Sequence, residues 1–295
     1  MSYVLSIIAD PARPTVDDAL IAALRERAGA GAQTVLCDGV ACDLALDAAL
    51  TPDRLEDARR IGRAAKADVN VVSTENRRKK LLIADMDSTI IRQECIDELA
   101  DFAGKRAEIS AVTEQAMRGE LDFDAALKAR VSMLEGLAED VLTETFKTRI
   151  ELSPGARALA QTMNAMGAMT ALVSGGFTFF TARVAEAAGF QHHQANTLLI
   201  EDGRLTGAVA APILGRAAKR EALLRLSGER GLDPSASLAV GDGANDLAML
   251  EEAGLGVAYR AKPAVAEAAA ARIDCGDLTG LLYLQGIARA EFRES

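Results

Sequence analysis

The sequence is poor in the groups that build soft-metal and disulfide sites. Its 295 residues hold two histidines, His192 and His193, and four cysteines, Cys37, Cys42, Cys95 and Cys275. The histidines have no helical metal-ligand spacing and are expected at the surface. The cysteines are scattered, with no paired ligand spacing and no evident disulfide framework, so reduced cytosolic thiols are expected. Positive charge is also short, with 33 Lys and Arg against 43 Asp and Glu and a net charge of −10. That balance argues against nucleic acid or an anionic membrane surface as partner. No apolar run reaches membrane length, and Met1-Ser2-Tyr3-Val4-Leu5-Ser6-Ile7-Ile8 lacks the basic region of a secretory signal. A cytoplasmic protein is the expectation. Long repeats and low-complexity segments are missing too.

What is present is enough apolar material, 49% of residues, for more than one core and roughly two domains. Residues 3–9 read as a strand, and Thr15 can cap a helix to about Arg27. A strand pair follows at 33–36 and 42–46 around Asp38-Gly39. Pro52 then opens a helix to about Ala67, and 69–72 closes with a short strand. The order βαββαβ is that of a small two-layer sandwich. Thr74-Glu75-Asn76-Arg77-Arg78-Lys79-Lys80 reads as a linker. From Leu81 onward strands alternate with helices, the pattern of a doubly wound parallel α/β sheet, with strands expected at 81–85, 169–173, 237–241 and 255–258. A helical block between about 92 and 150 is too long for a simple crossover, and Phe123, Leu127, Val131 and Leu134 keep helical spacing within it. The expected division is residues 1–74, a core of 75–91 and 151–295, and an all-helical insertion of 92–150. A hairpin is expected about Glu201-Asp202-Gly203, and Met163, Met166 and Met169 read as core packing.

Open α/β sheets bind ligands at the carboxyl ends of their strands, and polar residues collect there. The apolar strand Leu81-Leu82-Ile83-Ala84 runs into Asp85-Met86-Asp87-Ser88-Thr89. With a period of two, Asp85 and Asp87 leave the strand on one side. Carboxylates that close repel unless a cation sits between them, which suits a hard divalent metal, one carboxylate attacking and the other shuttling a proton. A strand-end turn rich in Asp and Ser is the structural alternative. Ser174-Gly175-Gly176, ahead of a helix expected near Phe177, is either a phosphate cradle or a tight turn. In Gly241-Asp242-Gly243-Ala244-Asn245-Asp246 two glycines bring Asp242 close to a metal, and Asp246 lies one helical turn on to support it. Neither acidic loop offers Cys or His, so magnesium fits better than zinc.

These segments, in this order, resemble the motifs of haloacid dehalogenase (HAD) superfamily phosphatases, with a lysine between the last two. Within that superfamily the stretch from about 80 to 275 is similar to the phosphoserine phosphatase family. The finer likeness rests on Glu94 in Ile90-Ile91-Arg92-Gln93-Glu94, on Met117-Arg118-Gly119-Glu120-Leu121-Asp122-Phe123, and on Arg130-Val131. The resemblance implies a Rossmann-like core, a mobile helical cap, Mg²⁺, and phosphoserine as small-molecule substrate in the last step of serine biosynthesis. The N-terminal module is similar in its expected topology to ACT-like domains. Its first loop, Asp10-Pro11-Ala12-Arg13-Pro14, departs from the glycine of ligand-binding members, so sensing of an amino acid is in question beside a dimerising (homodimer) or purely structural role.

Arg130 can be weighed on its own spacing. It shares the apolar face with Phe123, Leu127 and Leu134, where a guanidinium is costly unless paired. A bidentate grip on a carboxylate and a structural ion pair both answer that cost. Glu94 in a helix's first turn is favoured by the dipole in any case. The resemblance assigns Arg130 to the substrate carboxylate and Glu94 to its ammonium. It also assigns Lys219, with Arg220 as neighbouring competitor, to the phosphate, together with Ser174, Gly175 and Asn245. By the same likeness Asp85 is the nucleophile and Asp87 the acid–base, the metal being held by Asp85, Asp242 and the Asp87 carbonyl. Two other functions are carried beside this one. The first is a related phosphotransferase or small-phosphomonoester phosphatase, homoserine being an acceptor to consider. The second is an amino-acid-binding regulator with a vestigial phosphatase half, against which the joint presence of Asp85, Asp87, Ser174, Lys219 and Asp242 speaks.

Overall fold

The computed structural model describes residues 2–117 and 120–293. Its first part runs β1 (Tyr3–Ala9), α1 (Asp18–Ala28), β2 (Gln33–Cys37), β3 (Ala41–Leu46), α2 (Pro52–Ala64) and β4 (Ala67–Ser73). The strands form an antiparallel sheet in the order β2-β3-β1-β4. Alternation along β1 sends Leu5, Ile7 and Ala9 to the face covered by the helices, with Leu20, Leu24 and Leu44. Val4 and Ile8 go to the opposite face and join a second core that includes Val40, Val72, Tyr283 and Leu284. Helix α1 is capped by Asp17, whose Oδ1 accepts the Leu20 N–H at 2.8 Å, and not by Thr15. The Val16 N–H is held by the Gly39 carbonyl at 2.9 Å, which keeps the chain extended past Thr15. Helix α2 ends short of Ala67 because Lys66 turns to φ +59° and Ala67 already pairs in β4.

The remainder begins with β5 (Leu81–Ala84). Four helices follow: α3 (Cys95–Ala103), α4 (Arg106–Met117), α5 (Phe123–Ser132) and α6 (Asp140–Arg149). The chain then runs α7 (Ala156–Ala165), β6 (Met169–Phe177), α8 (Thr178–Ala188), β7 (His192–Asn196), β8 (Leu198–Glu201), β9 (Arg204–Val209) and α9 (Arg216–Glu229). It closes with β10 (Ser237–Gly241), α10 (Leu247–Glu252), β11 (Leu255–Tyr259), α11 (Pro263–Ala268), β12 (Ala271–Ile273) and α12 (Gly280–Leu284). The parallel sheet is ordered β12-β11-β10-β5-β6-β7. Succession runs from β5 to β6 on one side and later to β10 on the other, so the switch point lies at the carboxyl end of β5. Strands β8 and β9 pair separately as a hairpin. The hairpin fastens the link between α5 and α6, the Gly136 N–H donating to the Leu205 carbonyl at 2.8 Å and the Leu205 N–H to that of Leu137 at 2.9 Å.

Met163 and Met169 are buried, whereas Met166 caps the end of α7 and is 40% exposed, so it is not core. The histidines lie exposed on the edge strand β7. All four cysteines are free thiols. No helix among the described residues is long and apolar enough to cross a membrane.

The stretch read as a linker contains a clamp. Arg77 donates from Nη1 and Nη2 to the Asp43 carboxylate at 2.6 and 3.0 Å and also bonds the carbonyls of Tyr283 and Leu284. Asp68 accepts the backbone N–H groups of Asp274, Cys275 and Gly276 at 2.8–3.1 Å. The Asn70 amide donates to the carbonyl of Arg272 and accepts from its N–H, both at 2.9 Å. Polar groups that lose water must find such partners, and here each partner belongs to the other sheet's half of the chain.

Candidate active site

Strand β5 stops at Ala84, one residue earlier than expected. Asp85 and Asp87 remain extended, but Ser88 takes φ +55° and the chain coils through residues 86–90. A non-glycine residue in that region is held at a cost, here by the Ser88 N–H to Gln93 carbonyl bond at 3.1 Å. The strand period therefore does not govern the two aspartates. Asp85 Oδ1 faces Lys219 Nζ at 2.7 Å. Asp87 turns away from it, accepting the Cys95 N–H on Oδ1 at 2.8 Å and the Ser174 hydroxyl on Oδ2 at 3.1 Å.

Opposite Asp87, β6 continues across an irregularity to Phe177, so Ser174-Gly175-Gly176 belongs to the strand end and α8 starts at Thr178. Ser174 Oγ accepts the Gly176 N–H at 2.8 Å. A Cβ on Gly176 would lie 2.8 Å from Asp87 Oδ2, which only glycine avoids.

Helix α9 turns Lys219 inward beside Asp85 and Arg220 outward to an ion pair with Glu252 at 2.7 Å. Lys219 bridges Asp85 and Asp246, the latter at 2.6 Å. Burial alone would favour its neutral amine, but the Asp246 and Asp85 carboxylates carry its pKa above the ordinary range. Asp246 is fully buried and takes the Gly243 N–H on Oδ2 at 3.0 Å. A Cβ on Gly241 would overlap the Asp246 carboxylate. Carboxylate oxygens of Asp85, Asp242 and Asp246 all lie within 4.8 Å of one another. Burial, followed by the charge of Asp246, raises the pKa of Asp85 strongly and that of Asp242 as well. An all-oxygen cluster in that state fits a hard divalent cation. Because both Asp246 oxygens are already engaged, Asp85 and Asp242 have the oxygens to offer.

The helical insertion supplies the far wall of a cavity of about 690 Å³. Glu94 stands just before α3 and caps no helix N–H. It accepts the Ser88 hydroxyl on Oε1 at 2.6 Å instead, which separates it from the dipole reading. Its carboxyl opens to the cavity, and its enclosure by protein, then the Asp87 charge, push its pKa up to about 7. Arg130 on α5 is half-buried, with Nε donating to the Ala126 carbonyl at 3.2 Å and Nη1 to Thr113 Oγ1 at 3.4 Å. No carboxylate among the described residues pairs directly with it. Asn245, Gly175 and Phe123 line the same cavity. Of the stretch 117–123, Arg118 and Gly119 lie outside the described residues. Sequence reasoning missed three polar lining residues, Asp97, Thr113 and Lys262. Asp97 carried a signal, standing three residues after Glu94 and thus one helical turn on.

The chain belongs to the haloacid dehalogenase-like hydrolases, whose family model matches residues 82–251. Within that class it is similar to the phosphoserine phosphatase of Polaromonas sp., 46% identical over 210 residues that cover 70% of this chain and 89% of the relative. The phosphoserine phosphatase of Streptomyces coelicolor is 45% identical over 77% of this chain but 56% of its own length. Among solved structures, a HAD family hydrolase from Salmonella enterica serovar Typhi superposes with a TM-score of 0.86 at 33% identity. That match covers 96% of this chain and 98% of the other, the N-terminal sheet included.

Proposed function

We propose that this enzyme is a magnesium-dependent phosphatase that hydrolyses O-phosphoserine to serine and phosphate. The carrying observation is the polarity of one cavity. Asp85, backed by Lys219, and Ser174 stand at its floor, while Glu94 and Arg130 present an anion and a cation on the cap side. That pair matches the ammonium and carboxylate of an amino acid, which an ordinary phosphate ester lacks.

In this reading Asp85 attacks phosphorus in line, forming the aspartyl-phosphate bond as the ester P–O bond breaks. Burial raises the pKa of Asp87, a shift that favours its role as the acid giving a proton to the leaving serine oxygen. Now ionised, Asp87 takes a proton from the water that attacks the aspartyl-phosphate, releasing phosphate and restoring Asp85. The Ser174 hydroxyl, the Gly175 backbone, Lys219 and Asn245 bind the phosphoryl oxygens as charge builds on them. A magnesium ion held by Asp85, Asp242 and the Asp87 carbonyl would offset that charge. Residues 92–150 act as the cap that excludes water. The test is phosphate release from a panel of phosphomonoesters with and without Mg²⁺. Phosphoserine should lead the panel and require the metal, and a better substrate without an amino-acid end would overturn the assignment.

A further inference from the structure

The cavity is acidic, and the substrate proposed for it is an anion. Among the described residues, Asp85, Asp87, Glu94, Asp97 and Asp242 line it against two cations, Arg130 and Lys262. Lys219, held behind Asp85 by Asp85 and Asp246, is too deep to meet an incoming ester at the cavity mouth, and Arg130 sits on the cap side against Thr113 and Ala126. A phosphate dianion approaching a chain of net charge −10 is repelled on its way to a metal held by Asp85 and Asp242, so a cation at the rim on the phosphate side would ease its entry.

Lys262 stands there. Its N–H donates to the Asp242 carbonyl at 3.3 Å, and its own carbonyl accepts from Val265 and Ala266 at 2.9 and 3.0 Å, so its backbone is fastened to the acidic loop. Its side chain is exposed yet lines the cavity, and among the described residues it enters no ion pair. Its charge reaches Asp242, whose pKa it lowers against the effect of burial, so the side chain faces the acidic loop. We infer that Lys262 is the residue that captures the phosphate dianion at the cavity rim, drawing the ester in and holding the phosphate group until the cap closes. This inference rests on the phosphomonoesterase reading above. It differs from the role of Arg130 in recognising the phosphate, and so it is indifferent to what the phosphate is attached to.

The test compares wild type, Lys262→Ala, Lys262→Glu and Lys262→Arg, full-length and with Mg²⁺, on phosphoserine and on an aryl phosphate at low and high ionic strength. At low salt the alanine variant should lose about 10-fold in kcat/KM on both esters through KM, with kcat nearly kept and the glutamate variant lower still. Arginine should restore most of the loss, and high salt should narrow every difference. Unchanged kinetics in the alanine variant, a fall in kcat at constant KM, or a loss confined to phosphoserine would each overturn the inference. Calorimetric binding of inorganic phosphate separates this from the parent reading. If wild type hydrolyses neither ester, the phosphatase reading falls, while weaker phosphate binding by Lys262→Ala still upholds capture and equal binding refutes it.

Discussion

Nζ of Lys219 lies 2.7 Å from Oδ1 of Asp85, and both side chains are buried. Two opposite charges buried together hold each other's ionisation state and geometry, and removing one partner leaves the other stranded. Lys219 escapes that fate when Asp85 alone is changed, because Asp246 grips it from the other side at 2.6 Å.

Asp85→Asn should therefore fold and melt close to wild type yet show no turnover, since the carboxamide fills the same volume without being a nucleophile. Excess EDTA should silence the wild type in the same assay. Appreciable turnover by the variant, or full activity in the chelator, would remove the covalent metal-assisted mechanism.

Arg130→Ala addresses selectivity. Losing the partner of a desolvated charge costs about 2–5 kcal/mol, or roughly 30-fold to several thousand-fold. Phosphoserine should lose kcat/KM within that range, and an aryl phosphate with no carboxylate far less. Melting temperature is measured alongside. Equal losses on both esters at an unchanged melting temperature would take Arg130 out of the specificity site.

Glu94 predicts a pH signature. Enclosure by protein and the Asp87 charge raise its pKa to about 7, so the carboxylate proposed to receive the ammonium is lost as pH falls through that value. The ratio of kcat/KM for phosphoserine to that for an aryl phosphate should drop below about pH 7, and the ratio cancels titrations that both esters share. Glu94→Gln should flatten it. A ratio constant from pH 6 to 8 in the wild type would show that Glu94 does not read the amine.

Asp68→Ala tests the join between the two sheets. It leaves the N–H groups of Asp274, Cys275 and Gly276 without their shared acceptor, a loss of about 1–3 kcal/mol and a few degrees of melting temperature. Activity per folded molecule should stay near wild type, because none of these groups lines the cavity. An unchanged melting temperature would mean that water replaces the carboxylate without loss.

Much of the architecture was legible because apolar runs ending in Asp or Gly mark buried parallel strands. Leu81–Ala84 and Ser237–Gly241 have that form. Strands β7 and β12 escaped notice for physical reasons. His192-His193-Gln194 is polar because an edge strand meets solvent, and Ala271–Ile273 is too short to show a period. The acidic loops announced themselves, one by two aspartates at a strand end and the other by the glycines around Asp242, whereas Lys262 and Thr113 look like any surface lysine and helical threonine until the fold turns them towards a cavity. Nothing local marks Asp43, Asp68, Asn70 and Arg77 either, since their partners lie up to about two hundred residues away in the chain. The clamp at Arg77 could not be told from a linker for the same reason.

The two hydrogen bonds between the Asn70 amide and the backbone of Arg272 have a consequence for the life of the protein in a crowded solution. An outermost strand exposes a row of unpaired N–H and C=O groups that invites another chain to add itself. Here a single side chain imitates the next strand, offering a donor and an acceptor where β12 would otherwise recruit a stranger. The N-terminal sheet thus covers the outer edge of the hydrolase sheet, where another chain would otherwise pair.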